Sequence, residues 1–222
     1  AVQEATLSSP VPEGSTMATD QTSLPGQAHA DERRRRMTPT DLALIASFAA
    51  LISAFAYVGA IPVGGAGVPI TLQTAGVMLA GCLLGPTRGF LAVALYLALG
   101  AIGLPVFAEH SSGLGVLTGA SAGYLWSFPL AALVGGLLVK YAAGERGKTR
   151  AAIVFGCSLA ASVLVIHPMG IAGLSLYLDI SLAEALKIDV LYWAGDVLKT
   201  TLVALVAAEV HRAFPQLLRA RR

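Results

Sequence analysis

The chain has 222 residues, of which 55% are hydrophobic and 13% charged, with a mean hydropathy of +0.71. Soluble domains carry about 25% charged residues, whereas only Arg88 and Glu109 are charged between positions 42 and 139. This composition excludes an ordinary soluble domain, and a net charge of +2 indicates no nucleic-acid partner. The apolar runs are continuous and rich in Ala and Leu, without the alternation of a transmembrane β-barrel, and they predict an all-α polytopic membrane protein.

The chain divides into three predicted regions. Residues 1–36 are polar and rich in Pro and Gly, which predicts a disordered tail. Residues 37–214 form the membrane domain, and residues 215–222 form a basic tail on the cytoplasmic side. The domain has room for six transmembrane helices of about 20 residues, predicted at 41–60, 71–84, 88–100, 120–141, 151–177 and 191–212.

Local signals refine these helices and the segments between them. Thr40 or Asp41 is expected to cap the first helix. Pro168 and Gly170 predict kinks in the fifth. The polar stretch at 179–189 is expected to form an outer loop or a short surface helix before the sixth.

The basic residues predict the orientation of the helices. If the N-terminus lies in the cytoplasm, 13 of the 15 Lys and Arg residues face inside, and the opposite orientation reverses this. Both termini are therefore predicted to be cytoplasmic. The outer segments at 61–70, 103–119 and 179–189 then lie on one side, where the many glycines of the first two predict a lidded cavity.

Asp196 and Lys199 are the sharpest candidates for function. They lie at positions i and i+3 on the sixth predicted helix and share one face, about one to two turns below its outer end. Ionisable residues inside a membrane helix are costly, and they indicate either a binding site or a structural ion pair between helices. An aspartate accepts N–H groups and a lysine donates to oxygens, so the pair suits a small polar head group.

A short motif before the fourth predicted helix has two competing interpretations. Gly119–Gly123 matches the GxSxG nucleophile motif around Ser121, but that motif requires a strand-turn-helix context and a suitably placed histidine. His167 is the only histidine that could serve, and His167-Pro168 is better explained as a kink, so we predict no enzyme. A recognisable ATP-hydrolysis motif is also absent from the sequence.

Alanines recur at every fourth position of the first predicted helix. Ala46, Ala50 and Ala54 form a smooth stripe that permits close helix contact in lipid. The stripe fits either packing within this chain or docking of a partner membrane protein.

Five segments of the chain stand out as motifs: Val68–Thr74 (VPITLQT), Leu83–Pro86 (LLGP), Tyr96–Phe107 (YLALGAIGLPVF), Gly113–Gly115 (GLG) and Gly195–Lys199 (GDVLK). Together they resemble the BioY family, the biotin-specific substrate-binding (S) components of energy-coupling factor (ECF) transporters. The resemblance covers residues from about 40 to 212.

This resemblance implies six transmembrane helices, capture of biotin from outside, and a transmembrane coupling protein with two ATPase subunits as partners. It places the family's Gly-Asp-x-x-Lys motif at Gly195, Asp196 and Lys199, and the Ala stripe resembles the docking surface for the coupling protein. The chain departs from the family pattern at Ala120–Ala122 and at Trp193-Ala194. The residues expected to contact substrate are Asp196, Lys199, Trp193, Tyr96, Phe107, Thr71, Gln73, Gly113 and Gly115.

The predicted function is high-affinity capture and uptake of biotin across the cytoplasmic membrane. Asp196 is expected to accept the ureido N–H groups of biotin, and Lys199 to donate to its ureido carbonyl or its carboxylate. We predict no cofactor and no metal. The alternative is a permease that works alone on biotin or on another small vitamin-like solute.

Overall fold

Six helical segments make up most of the described chain, which comprises residues 37–58, 60–62, 65–142 and 151–214 of a computed structural model. We name them α1 to α6: Pro39–Tyr57, Gln73–Leu84, Pro86–Ala101, Ala122–Ala142, Ala151–Leu178 and Leu182–Ala213. The all-α class is confirmed within these residues, where β pairing is limited to one isolated bridge between Ile61 and Ile70. The predicted tails at 1–36 and 215–222 lie outside the described residues.

Four of these segments are long and apolar enough to cross a membrane, namely α1, α4, α5 and α6. The other two are apolar but shorter. The 16 residues of α3 extend about 24 Å as a straight helix, against about 30 Å of bilayer hydrocarbon. Length and composition thus establish four candidate membrane spans and two shorter apolar helices in the described chain.

The N-cap of α1 lies two or three residues before the predicted cap. Thr38, rather than Thr40 or Asp41, is the N-cap: its hydroxyl accepts the Asp41 N–H at 3.2 Å, and the Asp41 carboxylate accepts the Thr38 N–H at 2.9 Å. This reciprocal capping box leaves Pro39 in the first turn, where its missing N–H costs nothing. Asp41 also pairs with Arg88 at 2.7 Å, which joins the start of α1 to the start of α3.

Of the two alternatives predicted for residues 179–189, the outer loop is wrong, and the helix that forms there is the start of α6 rather than a separate surface helix. Asp179, in the left-handed conformation, ends α5, and α6 begins at Leu182 with Ser181 and Glu184 forming a second capping box. The polar residues that indicated a loop occupy the first turns of α6. Asp196 therefore lies almost four turns into its helix rather than one to two.

The predicted kinks in α5 coincide with a π-helical turn. Ser162–Ile166 is π-helical and leads directly into His167 and Pro168. Pro168 has no N–H to donate to the preceding turn, which favours a local change in hydrogen bonding. Single π-helical turns are frequent at functional sites, and this one precedes a buried histidine.

Small residues bring α2, α3 and α4 into backbone contact. A Cβ atom added at Gly89 would lie 2.7 Å from the Gly81 Cα, and one at Gly136 would lie 2.8 Å from the Gly81 carbonyl oxygen. Such contacts allow the dispersion and close packing that drive helix association in lipid.

The two sides of α1 differ in burial. Ile45, Ala49, Ile52 and Ala56 are buried, whereas the stripe of Ala46, Ala50 and Ala54 is exposed. The alanine stripe therefore does not pack within the described part of the chain.

Candidate binding site

A cavity of about 250 Å³ is enclosed by α2, α4, α5, α6 and two loops. The loop before α2 contributes Gly67–Thr71, and the loop before α4 contributes residues from Phe107 to Ser121. Five of the predicted substrate-contacting residues line it: Thr71, Gln73, Phe107, Asp196 and Lys199. The cavity thus brings together residues that are up to 128 positions apart in the sequence.

An ion pair forms one wall of this cavity. The Lys199 Nζ lies 2.5 Å from the Asp196 Oδ1, and the two residues are only 9% and 6% exposed. The Ser162 hydroxyl of the π-helical turn donates to the Asp196 Oδ2 at 3.1 Å. Asp196 is therefore bound on both carboxylate oxygens while still facing the cavity.

His167 and Asp189 extend the polar cluster around Asp196 and Lys199, and neither was predicted as a site residue. The His167 Nδ1 lies 2.8 Å from the Asp189 Oδ2, off the line of the N–H bond, and its Nε2 lies 3.3 Å from the Asp196 Oδ2. Asp189 was predicted in a loop and His167 at a kink. The seven-residue spacing of Asp189 and Asp196, two turns on one helix face, was the signal that could have found them.

The carboxylate of Asp189 is held from two further directions. The Tyr124 hydroxyl of α4 donates to its Oδ1 at 2.7 Å, and the Trp193 Nε1 donates to its Oδ2 at 2.8 Å. Asp189 is fully buried, so these donors replace the water that it has lost. The cluster therefore links α4, α5 and α6 through one continuous polar network.

Trp193 lies behind the cavity rather than in its wall. Its ring is centred 5.0 Å from the His167 ring, and the residue is 42% exposed on the outer side of α6. It was predicted to contact substrate, but it does not line the cavity. In this structure it covers the histidine and holds Asp189.

Tyr96 is likewise placed behind the cavity wall. It is fully buried, accepts a hydrogen bond from the Gln73 amide, and packs edge-on against Phe107 with ring centroids 5.5 Å apart. The Thr71 hydroxyl donates to the Gln73 carbonyl oxygen at 3.0 Å. Tyr96 therefore orients Gln73 and Phe107, which do reach the cavity.

The loop before α4 has unusual backbone geometry. Glu109, which lines the cavity, and His110 have φ of 55° and 60°, a region that non-glycine residues rarely adopt. The His110 ring lies 4.4 Å from the Tyr57 ring, and the Tyr57 hydroxyl donates to the Pro105 carbonyl. The end of α1 thus contacts the loop that covers the cavity.

Gly113 and Gly115 do not line the cavity. The Gly113 N–H donates to the Gly100 carbonyl at 2.7 Å, and its φ of +86° favours glycine. The Gly115 carbonyl accepts from the Thr118 N–H at 3.4 Å, within a short helical turn. These glycines shape the loop that contributes Phe107, Glu109 and Val116 to the site.

Replacing Gly170 by alanine is expected to destabilise the cluster. A Cβ atom there would overlap the Tyr124 ring, which carries the hydrogen bond to Asp189. Overpacking of this kind costs about 1–3 kcal/mol, so the thermal unfolding midpoint in detergent should fall. Gly156→Ala in the same helix is the matched control, since nothing lies within 4 Å of its added Cβ. Equal midpoints for the two variants would contradict the packing argument.

A helical membrane fold with a cavity of mixed polar and apolar lining and a buried ion pair defines the class: a membrane protein that binds a small polar solute. The chain belongs to the BioY family, whose model matches residues 29–216. The resemblance found in the sequence is therefore confirmed.

Similar proteins are known by sequence and by structure. The chain is 42% identical to the biotin transporter BioY of Rhodobacter capsulatus, over 82% of this chain and 98% of that protein. It is 35% identical to the biotin transporter BioY of Rhizobium etli, with the same coverage of both chains. The crystal structure of the S-component for biotin from an ECF-type ABC transporter superposes with a TM-score of 0.73 at 28% identity, covering 80% of this chain and 95% of that one.

Membership of this family identifies the chain as a multi-pass membrane protein and not an enzyme. Ser121 fits this conclusion. It lines the cavity from the turn before α4, and in the described chain a short helical turn, rather than a β-strand, precedes it. The strand-turn-helix context of a nucleophile elbow is thus missing there.

Proposed function

We propose that the chain captures biotin and mediates its uptake as the S component of an ECF-type importer. The observation that carries this proposal is the buried Asp196–Lys199 pair on the wall of the cavity. The similarity to biotin transporters and to an S-component for biotin supports the choice of ligand.

The chemistry of biotin matches the cavity. Its ureido ring carries two N–H donors and one carbonyl acceptor, and its thioether ring and chain are apolar. Asp196 accepts ureido N–H, and Lys199 donates to the ureido carbonyl or to the carboxylate. Phe107, Thr71 and Gln73 supply the neighbouring wall. A ligand that completes these hydrogen bonds offsets part of the cost of burying the two charges.

The proposed topology has six membrane crossings with both termini in the cytoplasm. Four candidate spans and two shorter apolar helices support the count. The distribution of Lys and Arg in the sequence supports the orientation. In this arrangement the loops that cover the cavity face outward, and the protein resides in the cytoplasmic membrane.

A transmembrane coupling protein and ATPase subunits are the proposed partners. The exposed stripe of Ala46, Ala50 and Ala54 offers a smooth surface for the coupling protein. Tyr57 at the end of the same helix contacts His110 of the loop over the cavity. The helix on which the coupling protein docks therefore also contacts the loop that covers the ligand.

Titration of the detergent-purified chain with biotin tests the proposed ligand. We expect saturable heat release in isothermal titration calorimetry with a single site. Thiamine and riboflavin serve as controls, because they are vitamins of different ring chemistry, and should give none. Saturable binding of a control vitamin together with no response to biotin would contradict the proposal and favour a carrier for another solute.

A further inference from the structure

The two ring nitrogens of His167 each face a carboxylate. Nδ1 lies 2.8 Å from Asp189 and Nε2 lies 3.3 Å from Asp196. A neutral imidazole has one N–H and one lone pair, so it would turn a lone pair towards one of these carboxylates. Only the imidazolium carries an N–H at both ring nitrogens, so that neither nearby carboxylate faces a lone pair. Together with Lys199, it balances the two buried carboxylates with two cations, as buried charges require.

We propose that His167 is a positioning residue for biotin: as an imidazolium held by Asp189, it keeps Asp196 charged and correctly turned towards the ligand. This inference rests on the proposed function. His167 and Ser162 both engage the Asp196 Oδ2, while Lys199 engages Oδ1. These contacts fix the plane of the carboxylate.

Asp189, the carboxylate that faces the Nδ1 of His167, is also held in place by neighbouring residues. Asp189 is anchored by Tyr124 and by Trp193, and the Trp193 ring covers the His167 ring. The imidazole therefore cannot rotate without breaking its contacts to Asp189 and Asp196 of α6. Outer partners of this kind orient the groups that touch a ligand, and their loss costs about 10- to 100-fold in affinity at metal sites.

The surroundings of His167 determine its expected pH response. From α6 the titratable groups facing the cluster are Asp189, Tyr192, Asp196 and Lys199, from α4 Tyr124, and across the cavity Glu109. When the imidazolium loses its proton, one carboxylate meets a lone pair and the buried cluster gains a net negative charge. Asp196 then loses its orientation, so biotin affinity should fall as pH rises.

Two isosteric variants separate the two contacts. The amide of His167→Asn can replace the Nδ1 donor towards Asp189, and that of His167→Gln can replace the Nε2 donor towards Asp196. By calorimetry between about pH 6 and pH 10, wild type should lose affinity as His167 deprotonates. At about pH 6, His167→Gln should bind biotin about 10-fold more weakly than wild type, and His167→Asn about 100-fold more weakly. Neither variant should show the pH-dependent loss of affinity that wild type shows.

A spectroscopic readout keeps the test independent of how well the variants fold. The Trp193 ring lies tilted against the His167 ring, with centroids 5.0 Å apart, and Trp126 is the other tryptophan of the chain. In a Trp126→Phe background, the Trp193 fluorescence should change with pH at the same midpoint as the biotin affinity. Different midpoints would overturn the role of His167 but not the proposed function. Wild-type affinity and pH profile in His167→Asn and His167→Gln would do the same. Failure of wild type to bind biotin at any pH would overturn the proposed function and this inference with it.

Discussion

Replacing Asp196 by asparagine is expected to weaken biotin binding by at least about 100-fold. The amide keeps the shape of the side chain but turns one acceptor oxygen into a donor and removes the charge. Lys199 and His167 then face the cavity as buried cations without their shared carboxylate. Removing one partner of a buried pair costs about 3–5 kcal/mol, and each 1.4 kcal/mol corresponds to tenfold in affinity. Calorimetric titration measures the loss.

A second acidic residue of α6 provides the control for this substitution. Glu209 pairs with Arg212 at 2.9 Å, but both side chains are largely exposed, so Glu209→Gln should leave biotin affinity unchanged. Lys199→Ala is the companion variant and should also bind poorly. Wild-type affinity in both Asp196→Asn and Lys199→Ala would refute the assignment of the ion pair to the ligand.

Replacing Ala50 by tryptophan is expected to abolish energised uptake while leaving biotin affinity within about twofold. Ala50 is exposed at the centre of the alanine stripe, away from the cavity. An indole there prevents the close backbone approach that small residues allow between membrane helices. Uptake of labelled biotin by cells that also express the coupling and ATPase subunits, and co-purification of those subunits, measure the effect.

Ala172→Trp controls for the general cost of a bulky residue on a lipid-facing helix. Ala172 is an exposed alanine of α5, outside the stripe, so this variant should retain uptake and partner assembly. If Ala50→Trp retained uptake without any ATPase subunit bound, the chain would be a permease that works alone, and the proposed S-component role would be wrong.

The helices were predictable because their signal is local. In a membrane, backbone N–H and C=O groups must be satisfied within each segment, so every apolar run of sufficient length predicts a helix. At residues 179–189 local polarity indicated an outer loop or a short surface helix, whereas the long helix α6 already begins at Leu182. There the Ser181 and Glu184 capping box and the contacts of Asp189 with Tyr124 and His167 stabilise a helix despite its polar residues.

Only some residues of the candidate binding site could be predicted from the sequence, because only some carry a local signal. Asp196 and Lys199 stand out because charges inside an apolar run have few explanations. His167 had an acceptable local explanation as part of a kink, and Asp189 as part of a loop. Their joint role depends on α4, α5 and α6 packing together, which no spacing within one segment encodes. Tyr96 and Trp193 were predicted to contact substrate, but they lie behind the cavity wall.

By itself, the sequence determined the class of protein, its family and the ion pair at the centre of the site, because apolar runs, basic residues and short motifs are properties of single segments. Only the tertiary structure decided that Asp196 belongs to a buried network with His167 and Asp189, and that Ala46, Ala50 and Ala54 face outward. Burying a charge is costly unless partners surround it. Those partners come from different helices, so the network exists only once the helices have packed.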